Sequence, residues 1–377
     1  MRHIGLLGGT FDPIHAGHMA LAKEALAYGL DEVWPVPSVP DYRDTGATGE
    51  QRIDMVHLAV DTEPRVKVSK VEVKHPGTTA AVVAKLCEKN PDCRFTFIIG
   101  ADKLTTLPEW ADAKDLFRLC ELMCFPRPGT DMNKYLLASV QAGAKFCIPD
   151  NAVKLDVSAT KVREQVRYLQ DPPEVDKKVL RYIAMHGLYQ EDIMPQLKKM
   201  ISEKRMNHTL GVRKTAVDLA LFWNGPVLKA AVAALLHDCA KNMPLKESRA
   251  LAVKKKLETD EGELTSNAML HGPVGAYLAM DKFGITDPDV INAIRYHTVG
   301  RPGMSLLEKI IFVSDVIEPG REDYPGLSDI RDAAYADIDK AVYMCLKSTR
   351  DYVLSSGKPF YPVSLIAMRY YQAMLED

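Results

Sequence analysis

The feature that most constrains this chain is a change of pattern near residue 190. Before it, short apolar runs at 4–7, 32–36, 95–99, 122–125 and 145–148 alternate with helical periodicity at about 17–28, 50–60 and 79–89. A further alternating strand is expected over 66–73. Strand and helix alternating at this spacing predict a parallel sheet covered by helices, with ligands bound beyond the carboxyl ends of the strands. After residue 190 the strand signals nearly vanish. Helical stretches follow at about 196–223, 226–240, 246–257, 272–283, 287–297, 304–317, 329–354 and 362–375. The polar segment 189–195, ending in Pro195, marks the boundary. The expectation is an α/β domain over 1–190, a linker over 191–196 and an all-α domain over 197–377.

Bulk properties exclude several classes. The length of 377 residues fits two domains, and 47% apolar with 26% charged residues fits a globular chain. A formal charge of −2 gives no general attraction to nucleic acid or to a membrane. No apolar run is long enough to span a bilayer. Met1-Arg2-His3 leads straight into a strand, so no signal peptide is expected. The seven cysteines are scattered without a Cys-x-x-Cys pair, which suits reduced thiols in a cytoplasmic protein. The oligomeric state is not legible.

The first apolar run is followed by Gly8-Gly9-Thr10-Phe11-Asp12-Pro13-Ile14-His15-Ala16-Gly17-His18. Glycine permits positive φ and close approach of a ligand to the backbone. A turn from strand to helix exposes free N–H groups and the positive end of the helix dipole, both of which favour phosphate. His15 and His18 at that helix start can donate to phosphate oxygens, where charge-assisted bonds contribute ~1.5–3 kcal/mol each. Near the end of the domain, Ser158-Ala159-Thr160-Lys161-Val162-Arg163 offers hydroxyls, another helix start and a forked guanidinium donor. Asp102 and Arg127 follow later apolar runs and are expected on the same rim.

The string from Gly8 to His18 resembles the signature of the nicotinate-nucleotide adenylyltransferases, and Ser158 to Arg163 resembles that family's second signature, Ser-x-Thr-x-x-Arg. The resemblance implies a Rossmann-like nucleotidyltransferase domain that uses ATP and nicotinate mononucleotide, with Mg²⁺ on the phosphates. It implies His15, His18, Lys161 and Arg163 in charge neutralisation, and Gly8, Gly9, Thr10, Phe11, Asp12, Arg127, Ser158 and Thr160 in nucleotide binding. Ile98-Ile99-Gly100-Ala101-Asp102, followed by Trp110, also looks like this family, which implies Asp102 at a ribose and Trp110 on the pyridine ring. Arg52-Ile53-Asp54-Met55 matches a family helix. One segment departs: where the family shows Pro-Pro-His-Lys, this chain has Pro40-Asp41-Tyr42-Arg43, and Arg43 stands for the lysine. Nicotinamide mononucleotide or phosphopantetheine as acceptor stays open, because those enzymes share the fold.

In the second half, His237-Asp238 closes the almost wholly apolar run 227–236, and Asp315 follows a second apolar run, 310–313. Burying a lone carboxylate costs several kcal/mol. A metal cation removes that cost, and imidazole and carboxylate are its natural ligands. The order His208, His237-Asp238, His271, His297, Asp315 resembles the HD phosphohydrolase superfamily. His237-Asp238-Cys239-Ala240-Lys241, His271-Gly272-Pro273, Tyr296-His297-Thr298-Val299-Gly300 and Asp315-Val316-Ile317-Glu318-Pro319-Gly320-Arg321 resemble its YqeK-type branch. That resemblance implies a symmetrical diadenosine tetraphosphatase with a two-metal centre of iron, held by His208, His237, Asp238, His271, His297 and Asp315. Asp238 would bridge the ions, and Lys241, Thr298 and Arg321 would face phosphate. Another nucleotide phosphohydrolase, or a nucleotide sensor without turnover, stays open for this half.

Overall fold

The computed structural model describes residues 1–38, 46–74, 76–104, 106–110, 112–126, 132–149 and 157–376. The chain divides into two compact units, Met1–Arg167 with Pro172–Tyr182, and Tyr168–Asp171 with Ile183–Asp377.

The first unit opens β1 (Arg2–Gly9), α1 (Ala16–Ala27), β2 (Glu32–Pro37), α2 (Gly49–Val60), α3 (Val71–Lys74) and α4 (Thr79–Lys89). It continues with β3 (Cys93–Gly100), α5 (Ala101–Leu104), α6 (Ala113–Leu119), β4 (Glu121–Phe125), α7 (Met132–Gln141), β5 (Phe146–Cys147) and α8 (Ala159–Arg167). Helix α9 (Lys177–His186) follows. The strands form one sheet in the order β2-β1-β3-β4-β5, every pair parallel. Ile4, Leu6, Phe95, Phe97, Ile99, Leu122 and Cys124 share one core with residues of α4 and α6. Their neighbours Leu7, Ile98, Met123 and Phe125 are buried as well. Strands apolar on both faces are what a helix-covered parallel sheet requires.

The strand expected over 66–73 is not formed. Val66 makes only an isolated bridge to Val33, and Val71–Lys74 is helical. The segment does run along β2: Val33 donates to Arg65 O, Lys67 to Val33 O and Ser69 to Pro35 O. The ladder stops there because Pro35 and Pro37 have no N–H to donate.

The second unit contains α10 (Met194–Leu197), α11 (Glu203–Phe222), α12 (Val227–Leu236), α13 (Leu245–Lys255), α14 (Glu261–Thr265) and α15 (Asn267–Phe283). Then come α16 (Pro288–Tyr296), α17 (Leu306–Ile317), α18 (Leu327–Ala336), α19 (Ile338–Ser355) and α20 (Pro362–Met374). The stretch 329–354, expected as one helix, is two. Asp337 is extended at φ −156° and accepts from the backbone N–H of Asp339 and Lys340, which starts a new helix. Helix α12 is the centre of this unit, buried at nearly every position and packed on α11, α16 and α17. Its N-cap, Pro226, has no capping side chain. The carboxylate of Asp171 does that work, accepting from Val227 N at 2.6 Å and Leu228 N at 2.9 Å. Among the described residues, no helix is long and apolar enough to cross a membrane.

Candidate functional site

In the first unit the expected loop joins the carboxyl end of β1 to the start of α1. Gly8 and Gly9 still belong to the strand, and neither has a positive φ. The left-handed residue is Phe11, at φ 51°. Gly8 is needed for a close approach instead: a Cβ there would stand 2.8 Å from the tip of the Phe97 ring. The same ring meets Trp110 edge-on at 6.5 Å, so Phe97 packs against both Gly8 and Trp110. His15 is the N-cap of α1, and its N–H donates to His18 Nδ1 at 3.3 Å. Their rings lie 3.9 Å apart between centroids, and Phe11 meets His18 edge-on at 4.8 Å.

Two guanidiniums hold this loop. Arg52, 1% exposed, donates from Nη1 to Thr10 O and Ser38 O, each at 2.6 Å. Arg163 donates to Asp12 O at 2.6 Å and to Thr160 Oγ1 at 3.3 Å, with Asp12 Oδ2 3.8 Å away. Asp12 is buried and accepts from Gly46 N. The α8 signature is thereby fastened to the Gly8 loop, although the two lie far apart in sequence. Ser158 accepts from Lys161 N as a cap, and Ser158, Thr160 and Lys161 are exposed. Asp102 lies in α5, directly beyond β3, but its side chain lies outside the description, as do Arg43 and Arg127 altogether.

In the second unit all six expected ligands converge. His208 comes from α11, His237 and Asp238 from the end of α12, His271 from α15, His297 from the end of α16, and Asp315 from α17. His237 and His271 are fully buried, and His297 and Asp238 nearly so. The two oxygens of Asp238 face different groups. Oδ2 lies 3.7 Å from His237 Nε2 and 3.9 Å from His208 Nε2. Oδ1 lies 3.1 Å from His271 Nε2 and 3.6 Å from His297 Nε2. Asp315 Oδ1 completes the first group, 2.9 Å from His208 Nε2 and 3.7 Å from His237 Nε2.

The imidazoles are oriented by their outer nitrogens. Nδ1 of His237 lies 2.7 Å from Ala234 O, that of His271 3.0 Å from Asn267 O, and that of His297 2.7 Å from Ile294 O. A carbonyl can only accept, so in each of these rings Nδ1 carries the proton and Nε2 presents its lone pair inward. Burial pushes the His237 and His271 imidazoles down to about 4, so both are neutral at pH 7. Burial alone would raise the Asp238 carboxyl, but its charged surroundings, Lys241 among them, outweigh that and hold it well below the usual carboxylate range.

This donor set fits divalent cations. Nε2 of His271 and of His297 stand 2.9 Å apart, two lone pairs facing each other, and the buried Nε2 of His237 has no hydrogen-bond partner. A cation on each side of Asp238 would satisfy both features. Two groupings have the compactness of a metal site: His208, His237 and Asp315, and His237, Asp238 and His297.

Comparison with known proteins agrees with both geometries. The family model described as cytidylyltransferase-like matches residues 6–165, and the HD domain model matches 205–320. A Halalkalibacterium halodurans protein named symmetrical bis(5'-nucleosyl)-tetraphosphatase is 42% identical over 48% of this chain and 95% of its own length. A Synechococcus protein named probable nicotinate-nucleotide adenylyltransferase is 36% identical over 50% of this chain and 95% of its own. A Mycoplasma genitalium protein named probable nicotinate-nucleotide adenylyltransferase/Ap4A hydrolase is 29% identical over 92% of this chain and 98% of its own. The chain belongs to the cytidylyltransferase-like family in its first half and to the HD family in its second.

Around the HD cluster stand the expected phosphate-facing residues. Lys241 Nζ is 3.2 Å from His271 Nε2, and Thr298 Oγ1 is 3.1 Å from both His271 and His297 Nε2. Arg321 donates to Asp315 Oδ1 at 2.6 Å and to Asp315 O at 2.8 Å. Two further residues join the cluster without any sequence expectation attached to them. Arg205, on α11 beside His208, donates to Asp238 Oδ2 at 2.7 Å. Glu318, 3% exposed, has Oε1 3.1 Å from His208 Nδ1. The available signal was spacing: Arg205 precedes His208, and Glu318 follows Asp315, by one helical turn.

Proposed function

We propose that the chain is an enzyme of two activities, one in each domain read from the sequence, 1–190 and 197–377, with 191–196 as the linker. The first transfers AMP from ATP to nicotinate mononucleotide. The acceptor's 5′-phosphate oxygen bonds to the α-phosphorus, the bond between that phosphorus and its bridging oxygen to the β-phosphate breaks, and pyrophosphate leaves. The nucleophile is already an anion, so the protein supplies alignment and charge neutralisation rather than a nucleophile of its own. His15 and His18, at the start of α1 and its positive dipole end, take phosphate oxygens. Arg163 holds the loop through Asp12 and neutralises charge with Lys161, and Mg²⁺ accompanies the nucleotide. Trp110 and Asp102 receive the mononucleotide side.

The second activity is hydrolysis of diadenosine tetraphosphate to two ADP. His208, His237, Asp238, His271, His297 and Asp315 hold the metal pair, with iron as the proposed occupant. When bound, the ions supply Lewis-acid polarisation of phosphate oxygens and a more acidic water. Lys241, Thr298, Arg321 and Arg205 bind and orient the polyphosphate at the rim of the cluster.

The observation that carries this reading is the Asp238 carboxylate, turned with one oxygen to each imidazole pair. That arrangement offers a carboxylate oxygen and two imidazole nitrogens on each side, a donor set suited to two ions, which supports turnover over simple nucleotide binding. The test is product identification. Incubation with ATP, Mg²⁺ and nicotinate mononucleotide should give deamido-NAD and pyrophosphate, in preference to the product from nicotinamide mononucleotide. Incubation with diadenosine tetraphosphate and Fe²⁺ should give ADP alone. ATP plus AMP in the second reaction would overturn the symmetrical assignment.

A further inference from the structure

Three of the four clustered imidazoles rest their Nδ1 on main-chain carbonyls, whereas His208 alone rests on a carboxylate, that of Glu318. A buried carboxylate is costly unless its surroundings hold it, and Glu318 is 3% exposed. Its surroundings are built for it. Oε2 accepts from Gly320 N at 2.6 Å, which leaves Oε1 for His208. Across from it, in the middle of α11, stands Gly211, where a Cβ would lie 2.3 Å from Oε2. Glycine in a helix interior is unfavourable relative to alanine. Here that cost is matched by a need, because any larger residue would take the space of the carboxylate.

We propose that Glu318 is a positioning residue for the metal centre, fixing the ring orientation and tautomer of His208 so that Nε2 points at the ions, with Gly211 as the vacancy that admits it. The proposal rests on the reading of the cluster as a metal centre. Geometry singles out His208 for such support. It is the one of the four whose Nδ1 partner lies on another element, since Glu318 is the residue that ends α17, whereas the other three use a carbonyl three or four residues back in their own chain. It is also the least buried of the four, at 12% side-chain exposure, and so the one least held by packing.

The test uses the full chain, stripped of metal and titrated with Mn²⁺, for the unaltered protein and for Glu318→Ala, Glu318→Gln and Gly211→Ala. Loss of an outer partner of a ligating histidine typically weakens metal binding by ~10–100-fold. That loss is expected for Glu318→Ala and for Gly211→Ala, and a smaller one for Glu318→Gln, whose amide oxygen can still accept from Nδ1. Gly211→Ala keeps the fold in play even if Glu318→Ala does not fold, because alanine favours the helix and the atom it displaces is the end of a side chain. The Mn²⁺ resonance spectrum gives a second readout: the paired-ion signal of the unaltered protein should give way to isolated Mn²⁺ in the alanine variants. Unchanged affinity in folded Gly211→Ala and Glu318→Ala overturns the positioning role while leaving the metal centre standing. Failure of the unaltered protein to bind Mn²⁺ overturns the metal centre and the proposal with it.

Discussion

Gly272 gives the sharpest test of how the metal cluster is held together. It lies in α15 directly after His271 and faces the main chain of α16 just before His297. A methyl at Gly272 would stand 2.6 Å from the carbonyl oxygen of Arg295. Ordinary contact begins at 3.4 Å, so the two helices must part by about 0.8 Å (3.4 − 2.6) in a close-packed interior. Both sides of the clash are backbone or nearly so, and no rotamer change relieves it. Overpacking of this kind costs ~1–3 kcal/mol, and the helix preference of alanine returns about 1 kcal/mol. Gly275→Ala, in the same helix, is the control, because its nearest neighbour is His237 O at an ordinary 3.5 Å. That variant should gain up to about 1 kcal/mol. Urea unfolding of the metal-stripped proteins, followed by far-ultraviolet circular dichroism, should place Gly272→Ala below Gly275→Ala by ~1–3 kcal/mol. Parting the helices also separates His271 from His297, so Mn²⁺ affinity should fall in Gly272→Ala and hold in Gly275→Ala. Equal stability and equal affinity in the two variants would refute the claim that backbone contact sets the imidazole spacing.

Further outcomes are expected. Arg163→Ala should lower adenylyl transfer by ~10²–10³-fold, the scale of a lost charge-stabilising donor, measured as pyrophosphate release; an unchanged rate would remove Arg163 from the site. Metal saturation should raise the thermal midpoint of the second unit, since at a hundredfold excess over the dissociation constant the stabilisation is ~2.7 kcal/mol; calorimetry with and without Mn²⁺ checks it, and coincident traces would contradict it. The Tyr361 hydroxyl donates to Asp260 and holds that carboxyl below its ordinary value. A depressed folded value gives stability that is present above the unfolded value, about 3.9, and is lost as pH falls through the folded one. Tyr361→Phe should therefore cost stability at pH 7 and progressively less below pH ~4, and a deficit that stays constant across an acid titration would argue against the pairing.

Much of this was legible in the sequence, for identifiable reasons. Helix limits came through where caps are local, as at Thr78 ahead of α4 and Ser305 ahead of α17. The break at Asp337 was missed because the periodic apolar positions run on across it, although the Asp that starts α19 is itself a capping signal. The strand expected over 66–73 failed because the outcome was set by its neighbour: the prolines of β2 stop the pairing, and nothing within 66–73 reports them. The loop histidines were singled out by the string from Gly8 to His18, and the six donors of the second half by their order along the chain from His208 to Asp315 rather than by any one local pattern. Arg205 and Glu318 were not, because their meaning lies in what α11 and α17 bring together. Arg52 was noticed only as part of a matching helix; that it is wholly buried and ties Thr10 to Ser38 is a fact of tertiary structure.

The central claim is that two independent chemistries reside in one chain, and paired substitutions test it most directly. Adenylyl transfer to nicotinate mononucleotide and hydrolysis of diadenosine tetraphosphate would be measured on the unaltered protein, His18→Ala and Asp238→Ala. His18→Ala is expected to lose the transfer and keep the hydrolysis, and Asp238→Ala to lose the hydrolysis and the paired ions and keep the transfer. Loss of both activities in either folded variant, or hydrolysis that survives in Asp238→Ala, would contradict it.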